Sequence, residues 1–499
     1  MERRSERASG VVLHVSSLAS PGGVGDMGPA AVRFLDFLAA AKQKIWQVLP
    51  LGPTGYGDSP YSALSAFAGN PLYISASELV RVGWLRAEEM QHLPIAGGPA
   101  DFDAARRLKL PLLQEAAERF LSGADAAERE RFHTFKRANK DWLPGYAQFA
   151  VLRRRFGGES WHAWPQEYAR RDDSAMAAFK KECAPELAVE EVLQYFFQRQ
   201  WDSLREYGAE RGIRIMGDAA IFVNYDSADV WGQPGLFELD ENLQPERVAG
   251  VPPDYFSKTG QRWGNPLYRW DVMAAEKYAW WVRRVKRNLA LCDVVRLDHF
   301  RGFEAYWAVP AAEKTAINGE WVKAPGRELL RRLKTALKGL PLVAEDLGVI
   351  TPEVDALREE FGLPGMRVLQ FGFGAGGGRE HLPHSYERNM VVYSGTHDND
   401  TTLGWWRKAD EATRANVQTY LQKVEHEGDA VWAMMRAAAR SVADTCIFPL
   451  QDVLFLGSEA RMNTPGVSAG NWRWRHEPEA LHPDIAAQLA ELMRLTERG

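Results

Sequence analysis

The sequence predicts a closed (β/α)8 barrel. Eight short apolar, β-branched runs recur along the 499 residues, amphipathic stretches lie between most of them, and five runs end in charged or polar clusters. Alternating strand and helix means parallel strands joined by crossovers, and eight such strands suggest closure into a barrel. A barrel gathers its reactive groups at the C-terminal ends of its strands.

The runs are 11–15, 45–51, 213–223, 293–300, 341–346, 366–371, 390–394 and 446–456. Helical spacing marks 30–42, with Val32, Leu35, Leu38 and Ala39 on one face, and likewise 272–291 and 328–337. The helix at 352–361 opens on Thr351-Pro-Glu, a helix start. About 160 residues separate the second run from the third, far more than one crossover helix requires. Helical patterns at 126–138, 175–182 and 190–208 identify 52–212 as a largely helical inserted subdomain. The stretch 224–266, rich in Gly, Pro and Asp, reads as a long loop at the barrel mouth, within a loop insertion covering 224–270. After the last run come a Gly-rich loop and one helix, 483–496, which leaves no room for a separate C-terminal β domain. The whole chain, 1–499, is therefore expected to be one catalytic barrel with insertions.

Composition narrows the function classes. The net charge of −5 with no basic run argues against nucleic acid, because phosphate binding needs a concentrated basic face. No apolar run approaches the ~18 residues of a membrane helix, and 11–15 is too short for a signal-peptide core. Cys183, Cys292 and Cys446 form neither a disulfide framework nor a CxxC pair, so buried free thiols in a reducing cytoplasm are expected. The 18 tryptophans and 15 tyrosines favour a carbohydrate ligand, since aromatic faces stack on sugar rings.

The polar clusters are Gly217-Asp218, Arg296-Leu-Asp298-His299, Glu345-Asp346, His397-Asp398-Asn399-Asp400 and Glu459-Ala-Arg461-Met-Asn463. On a strand, Val294, Arg296 and Asp298 share one face while Val295 and Leu297 share the other. An arginine beside an aspartate keeps that carboxylate ionised, as a nucleophile or electrostatic stabiliser needs. Several carboxylates with Arg and His, and no metal-ligand spacing, point to glycosidic chemistry. That chemistry pairs a carboxylate nucleophile with a protonated carboxylic acid. HExxH and Cys/His clusters are absent, and no metal or cofactor is expected. Gly372-Phe-Gly-Ala-Gly-Gly377 matches GxGxxG but opens no helix, so it reads as a loop and not a dinucleotide site. Glu345 and Asp346 lie on opposite faces of their strand, and the alternation does not say which faces substrate.

Several stretches, in order and spanning most of the chain, resemble glycoside hydrolase family 77, the amylomaltase type of 4-α-glucanotransferase in the α-amylase clan. They include Gly55-Tyr-Gly-Asp-Ser-Pro-Tyr61, Gln261-Arg-Trp-Gly-Asn-Pro-Leu-Tyr268, Val295-Arg-Leu-Asp-His-Phe-Arg-Gly302, Ala344-Glu-Asp-Leu-Gly348, Gly395-Thr-His-Asp-Asn399 and Gly457-Ser-Glu-Ala-Arg-Met-Asn-Thr-Pro-Gly466. The resemblance implies Asp298 as nucleophile, Glu345 as general acid/base and Asp398 as a third carboxylate that binds sugar hydroxyls. It implies that Arg296 holds Asp298 ionised, that His397 and Asp218 bind the sugar at the cleavage point, and that Tyr61 stacks on that ring. Tyr56, Ser59, Trp263 and Asn463 would line the cleft, under a lid at 250–256. His299 has packing or supporting duty. The stretch 101–107 lacks a tyrosine that some relatives place in a second glucan groove.

The implied reaction is transfer of α-1,4-glucan segments, with maltooligosaccharides as donors and glucans or glucose as acceptors. Retention would need carboxyl groups about 5–5.5 Å apart. A plain α-glucan hydrolase, an α-1,6-branching transferase and a non-catalytic glucan-binding barrel are the alternatives. The chain keeps all three carboxylates, which disfavours the last. A monomer without nucleic-acid or membrane partners is expected.

Overall fold

Strand β1 is Ala8–Val12, β2 is Ile45–Gln47 and β3 is Arg214–Ala220; then come β4 Arg247–Val251, β5 Gln261–Pro266, β6 Val294–Asp298, β7 Ala305–Pro310 and β8 Glu320–Lys323. The remainder are β9 Leu342–Ala344, β10 Gly365–Val368, β11 Met390–Tyr393 and β12 Thr445–Pro449. These belong to a computed structural model that describes residues 7–499 apart from 254–256, 375–377, 423 and 468.

Eight of these strands form one parallel sheet in the order β10-β11-β12-β1-β2-β3-β6-β9. They are the eight runs expected from the sequence, in cyclic chain order. The remaining seam, β9 to β10, is bridged by Ala344 N–H donating to Pro364 O at 2.8 Å and Met366 N–H donating to Asp346 at 2.6 Å. The sheet is thus a (β/α)8 barrel.

Strand alternation sorts side chains into two layers. Val11, Val295, Leu297, Val392 and Phe448 pack outward against the helices, while Val12, Val294, Val391, Tyr393 and Ile447 form a second cluster inside the barrel. Gly217 is required where β3 meets β6, because a Cβ there would lie 2.3 Å from Cys292 Sγ. All three cysteines are buried and free.

The helices Ala76–Arg81, Leu110–Gly123, Ala126–Ala138, Leu143–Arg155, Asp173–Glu182 and Ala184–Glu210 lie between β2 and β3. The last of these packs Trp201 against Trp46 of β2, with ring centroids 6.0 Å apart, and leads directly into β3. A fully buried ion pair, Lys109 to Asp26 at 2.8 Å, ties this region to the segment after β1.

Two departures from expectation stand out. The 272–291 pattern is two helices, Trp270–Ala275 and Ala279–Leu291, because Lys277 and Tyr278 both take left-handed backbone. The 224–266 stretch is not simply a loop. Its strands β4 and β5 join β7 and β8 in an antiparallel sheet ordered β5-β4-β7-β8. Strand β4 pairs with β5 just after it and also with β7, some 60 residues downstream, and no local pattern announces that second pairing. The chain ends in the helix Pro483–Leu495. Among the described residues, no helix is long and apolar enough to cross a membrane.

Candidate active site

A cleft of about 510 Å³ opens at the C-terminal ends of the barrel strands. Arg296 and Asp298 reach it from β6, as their shared strand face requires. Glu345 reaches it just beyond β9, Asp398 from the segment after β11, and Asn463 from the segment after β12. Tyr56, Ser59, Tyr61 and Trp263 complete the wall. Nine of the eleven residues expected at the site therefore line one cleft.

The other two sit at its edge. Asp218 lies beneath the cleft with its side chain fully buried, and His397 is 7% exposed. Arg296 Nη1 donates to both oxygens of Asp218, at 2.9 and 2.7 Å, and pairs with Asp298 at 2.8 Å. Tyr61 OH donates to Asp218 at 2.8 Å. One guanidinium thus joins a buried carboxylate to a cleft carboxylate. Burial lifts Asp218 to about 7 against the pull of Arg296, with nearby Asp298 adding to the rise. Arg296 itself is pushed well above its ordinary value by the carboxylates around it, although burial opposes this.

Glu345 lies across from Asp298, since Leu297 of β6 pairs with Ala344 of β9. Its carboxyl accepts His299 N–H at 2.6 Å and Leu347 N–H at 2.9 Å. Burial, together with the Asp298 charge, pushes Glu345 up to about 8, against Arg296 and the two backbone donors. Asp346 turns the other way, accepting Met366 N–H at 2.6 Å and facing Arg358 at 3.3 Å and Arg367 at 3.4 Å. The ambiguity left by strand alternation is resolved in favour of Glu345.

His299 adopts left-handed backbone, φ 54° and ψ 54°, which aims its N–H at Glu345. Such strain in a non-glycine residue persists only where the surroundings enforce it. The Trp263 ring stands edge-on to the imidazole at 4.9 Å, and burial holds His299 down at about 4. Toward Glu345, His299 presents its backbone donor and not its ring.

Asp398 accepts Asn463 Nδ2–H at 2.6 Å, its backbone oxygen accepts Arg461 at 2.6 Å, and His397 Nε2 lies 3.3 Å from its carboxylate. His397 is held below its usual range by burial. Behind this segment the buried Asp452 accepts Ser394 Oγ–H at 2.6 Å, Thr402 N–H at 2.7 Å and Thr402 Oγ1–H at 2.6 Å. These bonds anchor both ends of the 395–401 turn.

Sequence reasoning overlooked Trp472, Asn471 and Phe371, which also line the cleft. Only their membership of Gly- and aromatic-rich loops could have hinted at them. Of the lid expected at 250–256, residues 254–256 lie outside the described residues, as do 375–377 of the GxGxxG stretch.

Carboxylates facing each other across a barrel's C-terminal mouth, one of them buried with a raised pKa and one gripped by arginine, define the class of two-carboxylate glycoside-processing enzymes. The chain belongs to glycoside hydrolase family 77, the 4-alpha-glucanotransferases, whose family model matches residues 13–480. It is 49% identical to the 4-alpha-glucanotransferase of Thermus thermophilus over 99% of both chains, and 47% identical to that of Synechocystis over 98% of both. In three dimensions it is similar to the amylomaltase of Streptococcus agalactiae solved in complex with acarbose, with a TM-score of 0.95 and 36% identity, covering 99% of this chain and 100% of that one.

Proposed function

We propose that this protein transfers α-1,4-glucan segments from a donor to the 4-hydroxyl of an acceptor glucan or glucose, by retaining double displacement. Asp298 attacks the anomeric carbon while Glu345 gives its proton to the departing glycosidic oxygen. The C–O bond to the leaving chain breaks and a covalent glycosyl-Asp298 ester forms with inversion. Glu345, now a carboxylate, takes the proton of the incoming 4-hydroxyl, and attack by that oxygen releases Asp298 with a second inversion. Asp398, fixed by Asn463, binds hydroxyls of the reacting sugar, with His397 beside it. Asp218 works through its partners by holding Arg296 and Tyr61.

The observation that carries this reading is a pair of carboxylates facing each other in the cleft, Asp298 paired to Arg296 and Glu345 buried opposite it. Burial raises the Glu345 pKa to about 8 and favours the protonated acid. Transfer and hydrolysis differ only in which oxygen attacks the ester. The aromatic wall, with Trp263 on β5 over the cleft, favours a sugar acceptor over water. Residues 1–499 act as one catalytic unit, with 52–212 and 224–270 as its insertions. The protein works as a cytoplasmic monomer on maltooligosaccharides, without nucleic-acid or membrane partners.

Maltotriose alone tests the function. Products should form a ladder extending above maltotriose, with glucose released and total reducing ends constant. Only shorter sugars with rising reducing ends would mean a hydrolase, and α-1,6 links in the products would mean a branching enzyme.

Arg296→Lys is expected to lower kcat about 10²-fold in the same assay, because an ammonium on a shorter reach cannot grip Asp218 and Asp298 together, and its charge is less secure when buried.

A further inference from the structure

We propose that Trp472 is a positioning residue for the reaction, its indole holding the Tyr61 and His397 rings so that Tyr61 stays on Asp218 and His397 stays beside Asp398. The inference rests on the reading of the cleft under Proposed function.

Three rings meet at the floor of the cleft. Tyr61 and His397 stack nearly parallel, with centroids 5.2 Å apart and planes 14° apart. The Trp472 ring tilts against both, at 5.9 Å from Tyr61 and 6.0 Å from His397. Trp472 is 5% exposed and belongs to the apolar cluster inside the barrel, yet it also borders the cleft. The polar ends of the two rings it backs both reach carboxylates, Tyr61 OH to Asp218 at 2.8 Å and His397 Nε2 to Asp398 at 3.3 Å.

The backbone gives the second reason. Trp472 has φ +64°, the left-handed region, where a bulky residue is strained. The conformation is fastened on both sides. Trp472 N–H donates to Met462 O at 2.8 Å, next to the Asn463 that grips Asp398. Asn471 closes the intervening loop, accepting Thr464 N–H at 2.9 Å and donating to Val467 O at 2.9 Å. Plain core filling does not require an indole on strained backbone. Here the large flat indole, tilted against both Tyr61 and His397, limits how either ring can move.

Without the brace, Tyr61 and His397 gain freedom at the sugar being cleaved, while the outer cleft aromatics still bind the chain. The cost should therefore fall on kcat and spare KM. The test uses full-length Trp472→Ala, Trp472→Phe and Trp472→Gly. Trp164→Ala, a buried tryptophan between β2 and β3, serves as control. The readouts are kcat and KM for maltotriose disproportionation, and Tm.

Trp472→Ala should lose about 10²-fold in kcat with KM within about threefold, and Trp472→Phe should recover most of that loss. Trp472→Gly should melt above Trp472→Ala, since glycine accepts the left-handed conformation. Trp164→Ala should lose Tm and keep kcat. A Trp472→Ala enzyme with kcat within about threefold of wild type, or with its loss confined to KM, overturns the inference. If the alanine variant does not fold, Trp472→Leu, which fills the space without a flat ring, decides, and wild-type kcat in it also overturns the inference. Absence of disproportionation by the wild-type protein would instead defeat the functional reading itself.

Discussion

Asp298→Asn is expected to reduce kcat/KM for maltotriose disproportionation by about 10⁴-fold or more, with folding intact. An amide is no nucleophile toward an anomeric carbon, so the covalent ester cannot form. The structure also predicts how the variant should fail. Arg296 keeps its two bonds to Asp218, and Asp298 is 29% exposed, so the substitution leaves no fully buried charge unpaired. Tm should therefore change little while turnover disappears. The check is product analysis on maltotriose with thermal unfolding of the same sample. A variant that retained more than a few per cent of activity would remove Asp298 from the nucleophile's role.

Glu345→Gln should be nearly as damaging toward maltotriose, by about 10³-fold, because the departing sugar oxygen then leaves without a proton. A donor whose leaving group needs no proton, such as a maltosyl fluoride, should react with the variant in its first step. Wild-type kcat/KM should fall as pH rises through about 8, the value to which burial lifts Glu345, and the fluoride donor should escape that limb. Stability carries the same sign. A carboxyl whose folded pKa is raised binds a proton that the unfolded chain releases, so its contribution is complete below the ordinary carboxylate range and is lost as pH approaches about 8. Glu345→Gln should therefore raise Tm relative to wild type more at pH 8 than at pH 5. An equal shift at both would mean that Glu345 is not held protonated.

Much of this site could be read before the fold was known, because β-branched runs are local signals and the charge at their ends is local too. Arg296 and Asp298 two apart on β6, and the polar turn after β11, needed only strand periodicity to place them on one rim. The antiparallel sheet of β4, β5, β7 and β8 was hidden, since the β4–β7 pairing that joins its two local hairpins links segments some 60 residues apart. Glu345 was distinguishable from Asp346 only by family resemblance. The structure supplies the physical ground, two backbone donors for Glu345 inside the cleft and two arginines for Asp346 at the barrel seam. Asp218 was expected to bind the sugar; the structure adds that its carboxylate is buried and bonded to Arg296 and Tyr61.

By itself the sequence determined the barrel, its eight strands and the carboxylates on its rim, because side-chain alternation and helical spacing are properties of short stretches. The tertiary structure alone decided which groups share a charge and which keep a proton. Tyr61 meets Asp218 across 157 residues, and Trp472 meets Tyr61 across a far longer stretch of chain. The raised pKa of Glu345 comes from burial by elements that only the closed barrel brings together. Desolvation and Coulomb energies depend on distance in space, and distance along the chain says little about them.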